Sequence, residues 1–263
     1  MSRFIWVVFF VLWLPLFGAV WMSFTPGELA RPPLLAWSVG WHVRFLSDPV
    51  WLNALATSVG VGVGAVAVAV ATGVPAALAR PKRLDRIIML PLAIPPIVLG
   101  IGLLPTMHVL GIARTPLALI FAHGLLGMPL VYLSTRAALR AVPPELIDAA
   151  RGLGASSRQA FVRVTLPLIA PGVMGGALLA FVLSFNEFFI AQFLGGPEIE
   201  TLPRRVWPAL RYSVSPVVAS ASVWALFVTF VGLFAFVRLA HKPFLIREHT
   251  TSSSADDANR PVS

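Results

Sequence analysis

Glu187 is the one acidic residue set well inside an apolar segment of this 263-residue chain. A charged side chain at the centre of a membrane helix costs about 2.5–3.5 kcal/mol on insertion scales, so it must face a cavity or a partner. Two readings stand side by side. In one, Glu187 and its neighbour Asn186 line the outer part of a solute path and attract a cation. In the other, Glu187 reaches water at the outer surface or pairs with Arg204 or Arg205. His108 and His123 are isolated, with no second ligand at metal spacing, so no metal site is expected. There is no cysteine, which excludes disulfide and thiolate chemistry. A G-x-x-x-x-G-K-[ST] phosphate loop is absent as well, so the chain cannot cradle ATP itself. An intramembrane enzyme would need a Ser/His, paired-carboxylate or metal constellation at membrane depth. Glu187 alone does not supply one.

The stretch 143–167, PPELIDAARGLGASSRQAFVRVTLP, carries a different chemistry, that of docking. Pro143 and Pro144 suit the first turn of a helix, where N–H groups lack partners anyway. Glu145 and Asp148 then place negative charge near the positive helix end. Leu146, Ala149, Ala150 and Leu153 recur at i, i+3, i+4 and i+7, a narrow apolar stripe, with Glu145, Asp148 and Arg151 beside it. Gly152 and Gly154 end the helix, Gly154 being free to adopt a left-handed conformation. Ser156 and Gln159 have capping-box spacing for a second helix. Two small alanines at the centre allow the rod to sit deeply in a groove of a soluble partner. The same pattern also fits a helix resting on a bilayer surface.

The elements that position these residues are membrane helices. The chain is 57% hydrophobic and 12% charged, with mean hydropathy +0.84. A soluble domain has roughly 25% charged residues. Six apolar segments are expected, at 4–24, 53–79, 87–110, 117–139, 166–194 and 214–239. Helix is the choice for spans of this length, because each peptide group must find its partner within the segment. The first segment is too long for a signal peptide and is read as an uncleaved span. Pro91, Pro95 and Pro96 should kink or break the third span. A broken helix is tolerated where it lines a cavity, so Pro95 and Pro96 join Asn186 and Glu187 as candidates for the solute path. The run Gly60-Val61-Gly62-Val63-Gly64-Ala65 lacks the strand context of a dinucleotide fingerprint. It reads as a close helix–helix contact, and Gly172 and Gly176 suggest another.

The net charge of +9 is distributed as topology signals rather than as a nucleic-acid face. With the N-terminus inside, fourteen of the twenty Lys and Arg residues fall on the cytoplasmic side. That predicts a multi-pass protein with both termini in the cytoplasm. Residues 1–249 form the membrane domain, with the docking loop at about 140–165. The polar tail 250–263 is expected to be disordered. Loop 25–52, with Trp37, Trp41 and Trp51, is expected along the outer membrane face. A stand-alone secondary transporter would show ion-coupling carboxylates in several spans or an inverted repeat; neither is seen.

The docking loop resembles the EAA loop of ABC importer permeases of the binding-protein-dependent type. That pattern is Glu-Ala-Ala, three residues, Gly, nine residues, then Ile-x-Leu-Pro. Here Asp148-Ala149-Ala150 precedes Gly154 at that spacing, and Val164-Thr165-Leu166-Pro167 follows nine residues later. Asp148 for Glu and Val164 for Ile are the departures. The segment 90–100 (LPLAIPPIVLG), Ser184-Phe185-Asn186-Glu187, Gly196-Pro197, Thr201-Leu202-Pro203, Trp207 and Ser215-Pro216 are similar to the spermidine/putrescine branch. That branch usually has an acidic pair where Asn186-Glu187 stands. The resemblance implies an all-α, six-helix type I (MetI-like) permease core in the bacterial inner membrane. It implies a coupling role for Glu145, Asp148, Ala149, Ala150, Arg151, Gly154, Leu166 and Pro167. It further implies partners: ATPase subunits that use ATP and Mg, a second permease subunit, most simply a different chain, and an extracytoplasmic solute-binding protein. The solute it implies is a polyamine or another small solute: an amino-acid derivative, iron, thiamine or an oxyanion.

Overall fold

A computed structural model describes residues 2–28, 32–33, 36–79, 85–212 and 215–245. Their regular elements are helices, and no strand occurs among them. In chain order the helices are α1 (Ser2–Met22), α2 (Gly40–Ser47), α3 (Pro49–Ala79), α4 (Asp85–Ala93), α5 (Pro96–Val109), α6 (Pro116–Arg140), α7 (Pro144–Gly152), α8 (Ser157–Ala160), α9 (Leu166–Phe185), α10 (Phe189–Leu194), α11 (Leu202–Tyr212) and α12 (Pro216–Leu245). A π turn, Phe161–Thr165, joins α8 to α9. The expected tail 250–263 and the basic residues Arg80, Lys82 and Arg83 lie outside the described residues.

Four stretches are long and apolar enough to cross a membrane: α3, α6, the rod Ser157–Phe185 that ends in α9, and Pro216–Ala235 of α12. The third apolar segment of the sequence is not a single span. It is α4 and α5, bent by 108°. Pro95 and Pro96 cause the break. A residue before proline is pushed out of the helical region, and Pro95, with ψ 134, caps α5 while Pro96 opens it. Pro91 breaks nothing and sits inside α4. The fifth segment, 166–194, is also interrupted. Its helix stops at Phe185, and α10 starts three residues after Asn186. α1 is a 21-residue helix whose described apolar part is Val8–Met22. Six straight spans are therefore not what the sequence builds. Among the described residues it builds four long apolar helices, the bent pair α4–α5, which we read as one broken crossing, and α1.

α3, α6 and α9 form the centre, and small residues let them close up. A Cβ at Gly176 would lie 2.7 Å from the Val131 Cα, and one at Gly172 would lie 2.5 Å from the Ala138 Cβ. Gly62 and Gly64 face Phe181 and Ile120 in the same way, whereas Gly60 faces open space. The glycine run in α3 is thus a packing face, as its apolar context required. At the end of the bundle opposite α7, α10 tucks between α5 and α6. There Ile190 and Leu194 are fully buried with Leu119 and Ala122. The loop 25–52 folds back through α2, whose Phe45 is fully buried and packs with Trp51 and Trp224. Trp51 is therefore core, while Trp37 is exposed. Along α1, Trp6, Phe9, Phe10, Leu12 and Phe17 point outward, the arrangement that lipid as solvent requires.

Candidate functional site

α7 projects from the bundle with no buried residue. It packs chiefly on α8 and the π turn. Its first turn begins at Pro144 after the extended Pro143, and Glu145 lies in that turn. Its end is a Schellman motif. Gly154 N–H donates to the Arg151 carbonyl at 2.9 Å, and Ala155 N–H to the Ala150 carbonyl at 3.0 Å. Gly154 has φ +88°, a conformation that disfavours any Cβ. The capping box also forms. Gln159 N–H donates to Ser156 Oγ at 3.3 Å, and Ser156 N–H donates to Gln159 Oε1 at 2.8 Å. Arg151 Nη2 reaches Ser157 Oγ at 3.4 Å, linking the two short helices. Pro167 has no N–H for the Arg163 carbonyl, and the helix widens to a π turn just before it, with Leu166 N–H donating back to Phe161.

The apolar stripe of α7 is left open. Leu153 is 91% exposed and Leu146 39%. Asp148 and Ala149 are exposed and Ala150 is half-buried. Leu166 and Pro167 are exposed too. Seven of the eight residues of the expected docking group are thus exposed and Ala150 is half-buried; six lie on or just after α7, while Leu166 and Pro167 open α9.

Glu187 is placed differently. It is buried, 7% exposed. Its Oε1 accepts from Phe189 N–H at 3.0 Å, and its Oε2 from Ile190 N–H at 2.7 Å and Ala191 N–H at 3.2 Å. These are first-turn donors of α10 that no helical carbonyl can satisfy. The carboxylate therefore caps α10 and complements its positive end. The nearest basic group is not an arginine but His123 of α6, Nε2 to Oε2 3.7 Å. His123 Nδ1 lies 2.8 Å from Ser184 Oγ on α9. Arg204 is engaged elsewhere, donating to the Gly196 carbonyl at 3.0 Å and the Ile199 carbonyl at 2.5 Å. Burial lowers its pKa, and the charge of Glu200 acts in the opposite sense. Arg205 pairs with Glu200 at 3.6 Å. Asn186 is exposed, its amide donating to the Val182 carbonyl at 2.8 Å. Pro95 is exposed and Pro96 half-buried at the bend. The structure does not bring Glu187 and these prolines to one surface patch. They are linked through α5, which packs on α10, and through Ile94, which packs against the cluster that holds Ile190 and Ala191.

Residues 69–243 match the family model described as the binding-protein-dependent transport system inner membrane component. That match runs from the last third of α3 to near the end of α12 and includes α6, α9 and the whole loop that carries α7. The chain belongs to this family. This permease is 30% identical over 244 residues to the putrescine transport system permease protein PotI of Escherichia coli (strain K12), covering 87% of the chain and 85% of PotI. It is 28% identical over 225 residues to the spermidine/putrescine transport system permease protein PotC of Haemophilus influenzae, covering 82% of the chain and 86% of PotC. Its fold is that of a chain in the bacterial alginate ABC transporter in complex with an alginate pentasaccharide-bound periplasmic protein. That likeness has a TM-score of 0.65 at 14% identity and covers 92% of each chain. The permease is thus a multi-pass inner-membrane transport component and not an enzyme, with the all-α ABC importer fold that its sequence implied.

The permease has a further polar group that sequence reading missed. Asp85, the first residue of α4, accepts from the Tyr132 hydroxyl and from Arg136 Nη1, the latter at 2.6 Å. Arg136 also donates to the Tyr132 oxygen at 2.7 Å. Tyr132 and Arg136 share one face of α6 at i, i+4 spacing, which was legible. Asp85 lies 47 and 51 residues away from them, and nothing local announces that pairing.

Proposed function

We propose that this permease forms half of the solute pathway of an ATP-driven importer, and that α7 is the rod through which a separate ATPase drives it. The observation that carries this reading is the open apolar stripe of α7, on a helix opened by Pro144 and closed by a Schellman motif at Gly154. A helix resting on its own bundle would have buried that stripe. ATP and Mg belong to the partner ATPase. A second permease chain completes the pathway, and an extracytoplasmic binding protein delivers the solute. Alternating access then follows from two permeases rocking as the α7 rods follow the ATPase dimer. The Lys and Arg distribution supports cytoplasmic termini and a cytoplasmic α7.

The names of PotI and PotC support a polyamine, putrescine or spermidine, as the solute. A second reading, another small solute on the same machinery, is favoured by one observation. Asn186 stands where the polyamine branch usually has an acid, and the Glu187 oxygens are already taken by α10. A carboxylate in that state attracts a cation less than a free one.

The test is Ala149→Arg or Ala150→Arg in the reconstituted transporter, with ATP-dependent putrescine uptake into proteoliposomes as readout. A guanidinium forced into a closed groove costs about 3–5 kcal/mol when unpaired, so uptake should fall roughly a hundredfold or more. Membrane insertion should be unchanged. Normal uptake in both variants would overturn the coupling role. Uptake of a neutral solute in place of putrescine would favour the second reading.

A further inference from the structure

The broken crossing has two halves tied to two different bodies. α4 packs on α6, and α5 packs chiefly on α10. The 108° bend separates them. The α4 half is fastened by Asp85, whose two carboxylate oxygens take Tyr132 and Arg136 of α6. The fastening is redundant, because Arg136 also donates to the Tyr132 oxygen and its guanidinium lies 5.4 Å from the Tyr132 ring centroid. Arg136 stands about two turns before Pro144, the first residue of α7. It also lines a cavity of about 320 Å³ with Arg140, Val142 and Pro144 at the root of that helix. One guanidinium thus holds Asp85 of α4 and borders the cavity at the base of α7.

We infer that Asp85, Tyr132 and Arg136 are positioning residues that carry the movement of α7 into the α4 half of the broken crossing. The inference rests on α7 being the coupling rod. α6 leads into α7 across three residues, Ala141 to Pro143, so a displaced rod pulls on the last turns of α6. Asp85 makes α4 follow. The Pro95–Pro96 break lets α4 swing without dragging α5, which stays with α10. A charge cluster is suited to this task because it is directional: it resists sliding along the helix axis, which an apolar contact tolerates. The pair is only partly buried, with side-chain exposures of 22% and 37%. Its contribution to folding is therefore modest, and its removal need not unfold the bundle.

The experiment uses the complete transporter in proteoliposomes, with ATPase subunits, both permeases and the solute-loaded binding protein inside its native pairing. Phosphate release is measured with and without that binding protein. Asp85→Asn, Tyr132→Phe and the exchange Asp85→Arg with Arg136→Asp are compared with wild type. Mutations along a coupling route change it by about two- to thirtyfold. Asp85→Asn should reduce stimulation by the binding protein within that range while basal hydrolysis persists, Tyr132→Phe should reduce it less, and the exchange should restore it in part. Unchanged stimulation in Asp85→Asn overturns the inference. So does a parallel loss of basal and stimulated rates, which marks a merely structural role, in Tyr132→Phe as well as Asp85→Asn. Ala149→Arg serves as the separating control. It should abolish ATPase co-purification, which the Asp85 variants should retain. If Ala149→Arg instead retains the ATPase and full stimulation, it is the coupling reading of α7 that fails.

Discussion

α7 and α10 are both short helices with an acidic residue at the N-terminal end, yet they are held in opposite ways. α7 has no buried residue, while α10 buries Ile190, Ala191 and Leu194. Every bond that stiffens α7 comes from its own neighbourhood: the Schellman bonds to Gly154 and Ala155, the Ser156–Gln159 box, and the Arg151–Ser157 contact. α10 takes its cap locally from Glu187 but its position from α5 and α6. The difference follows from what each helix faces. On the coupling role proposed for α7, a rod that waits for a partner must be rigid before the partner arrives, because ordering it at docking would weaken binding. A helix inside the bundle borrows rigidity from its neighbours. Its buried donors need an acceptor that water cannot provide.

The largest test of this contrast after the α7 arginine variants is removal of the Glu187 carboxylate. Glu187→Ala leaves three first-turn donors of α10 without an acceptor. Each buried unsatisfied group costs about 1–3 kcal/mol, though not additively, so a loss of about 2–4 kcal/mol is expected. Glu187→Gln keeps one acceptor oxygen and should lose about half as much. Thermal unfolding of the purified transporter reads both. If Glu187→Gln matches wild type in stability yet loses putrescine uptake, the carboxylate serves the solute, and α10 is not the reason it is there.

The same contrast explains what the sequence disclosed. The α7 region was legible almost residue by residue: the prolines that open it, Gly154 at positive φ and the Ser156–Gln159 box. Local rules set all of these, and no tertiary contact competes. The six apolar segments were legible as apolar, but two of them are broken. The break at Pro95–Pro96 has a covalent cause that can be read from the chain. The break at 186–188 has none, for Phe185 to Phe189 contain no glycine or proline. Its cause is that Glu187 can satisfy α10 where α10 finds a pocket between α5 and α6, which exists only in the folded bundle. The Asp85–Tyr132–Arg136 cluster was hidden for the same reason, since its members are distant in sequence.

A smaller effect sharpens the comparison within the bundle itself. Gly176→Ala places a methyl group 2.7 Å from the Val131 Cα, a backbone atom that cannot yield cheaply. Overpacking of this kind costs about 1–3 kcal/mol. Gly60→Ala meets nothing within 4 Å and gains helix propensity, so it should stabilise by about 0.5–1 kcal/mol. Unfolding midpoints that move in opposite directions would support the central role of the α6–α9 contact. Equal shifts would remove it.

The smallest expected effect lies at Ser156, where the independence of the docking loop is at stake. Its hydroxyl accepts from Gln159 N–H, and the Gln159 side chain answers by accepting from Ser156 N–H. Ser156→Ala removes the first bond and leaves the second, at a typical cost of about 1 kcal/mol. Both groups are exposed, so water replaces the lost acceptor and the bundle should keep its unfolding midpoint. What should change is local. Amide exchange in α8 should speed up by roughly fivefold for that energy, and uptake should fall slightly because α7 meets its groove less well ordered. A drop in global stability would instead mean that the loop is part of the bundle's cooperative unit. The rod would then not be stiff by its own caps, and the division between a self-supporting helix and a borrowed one would fail.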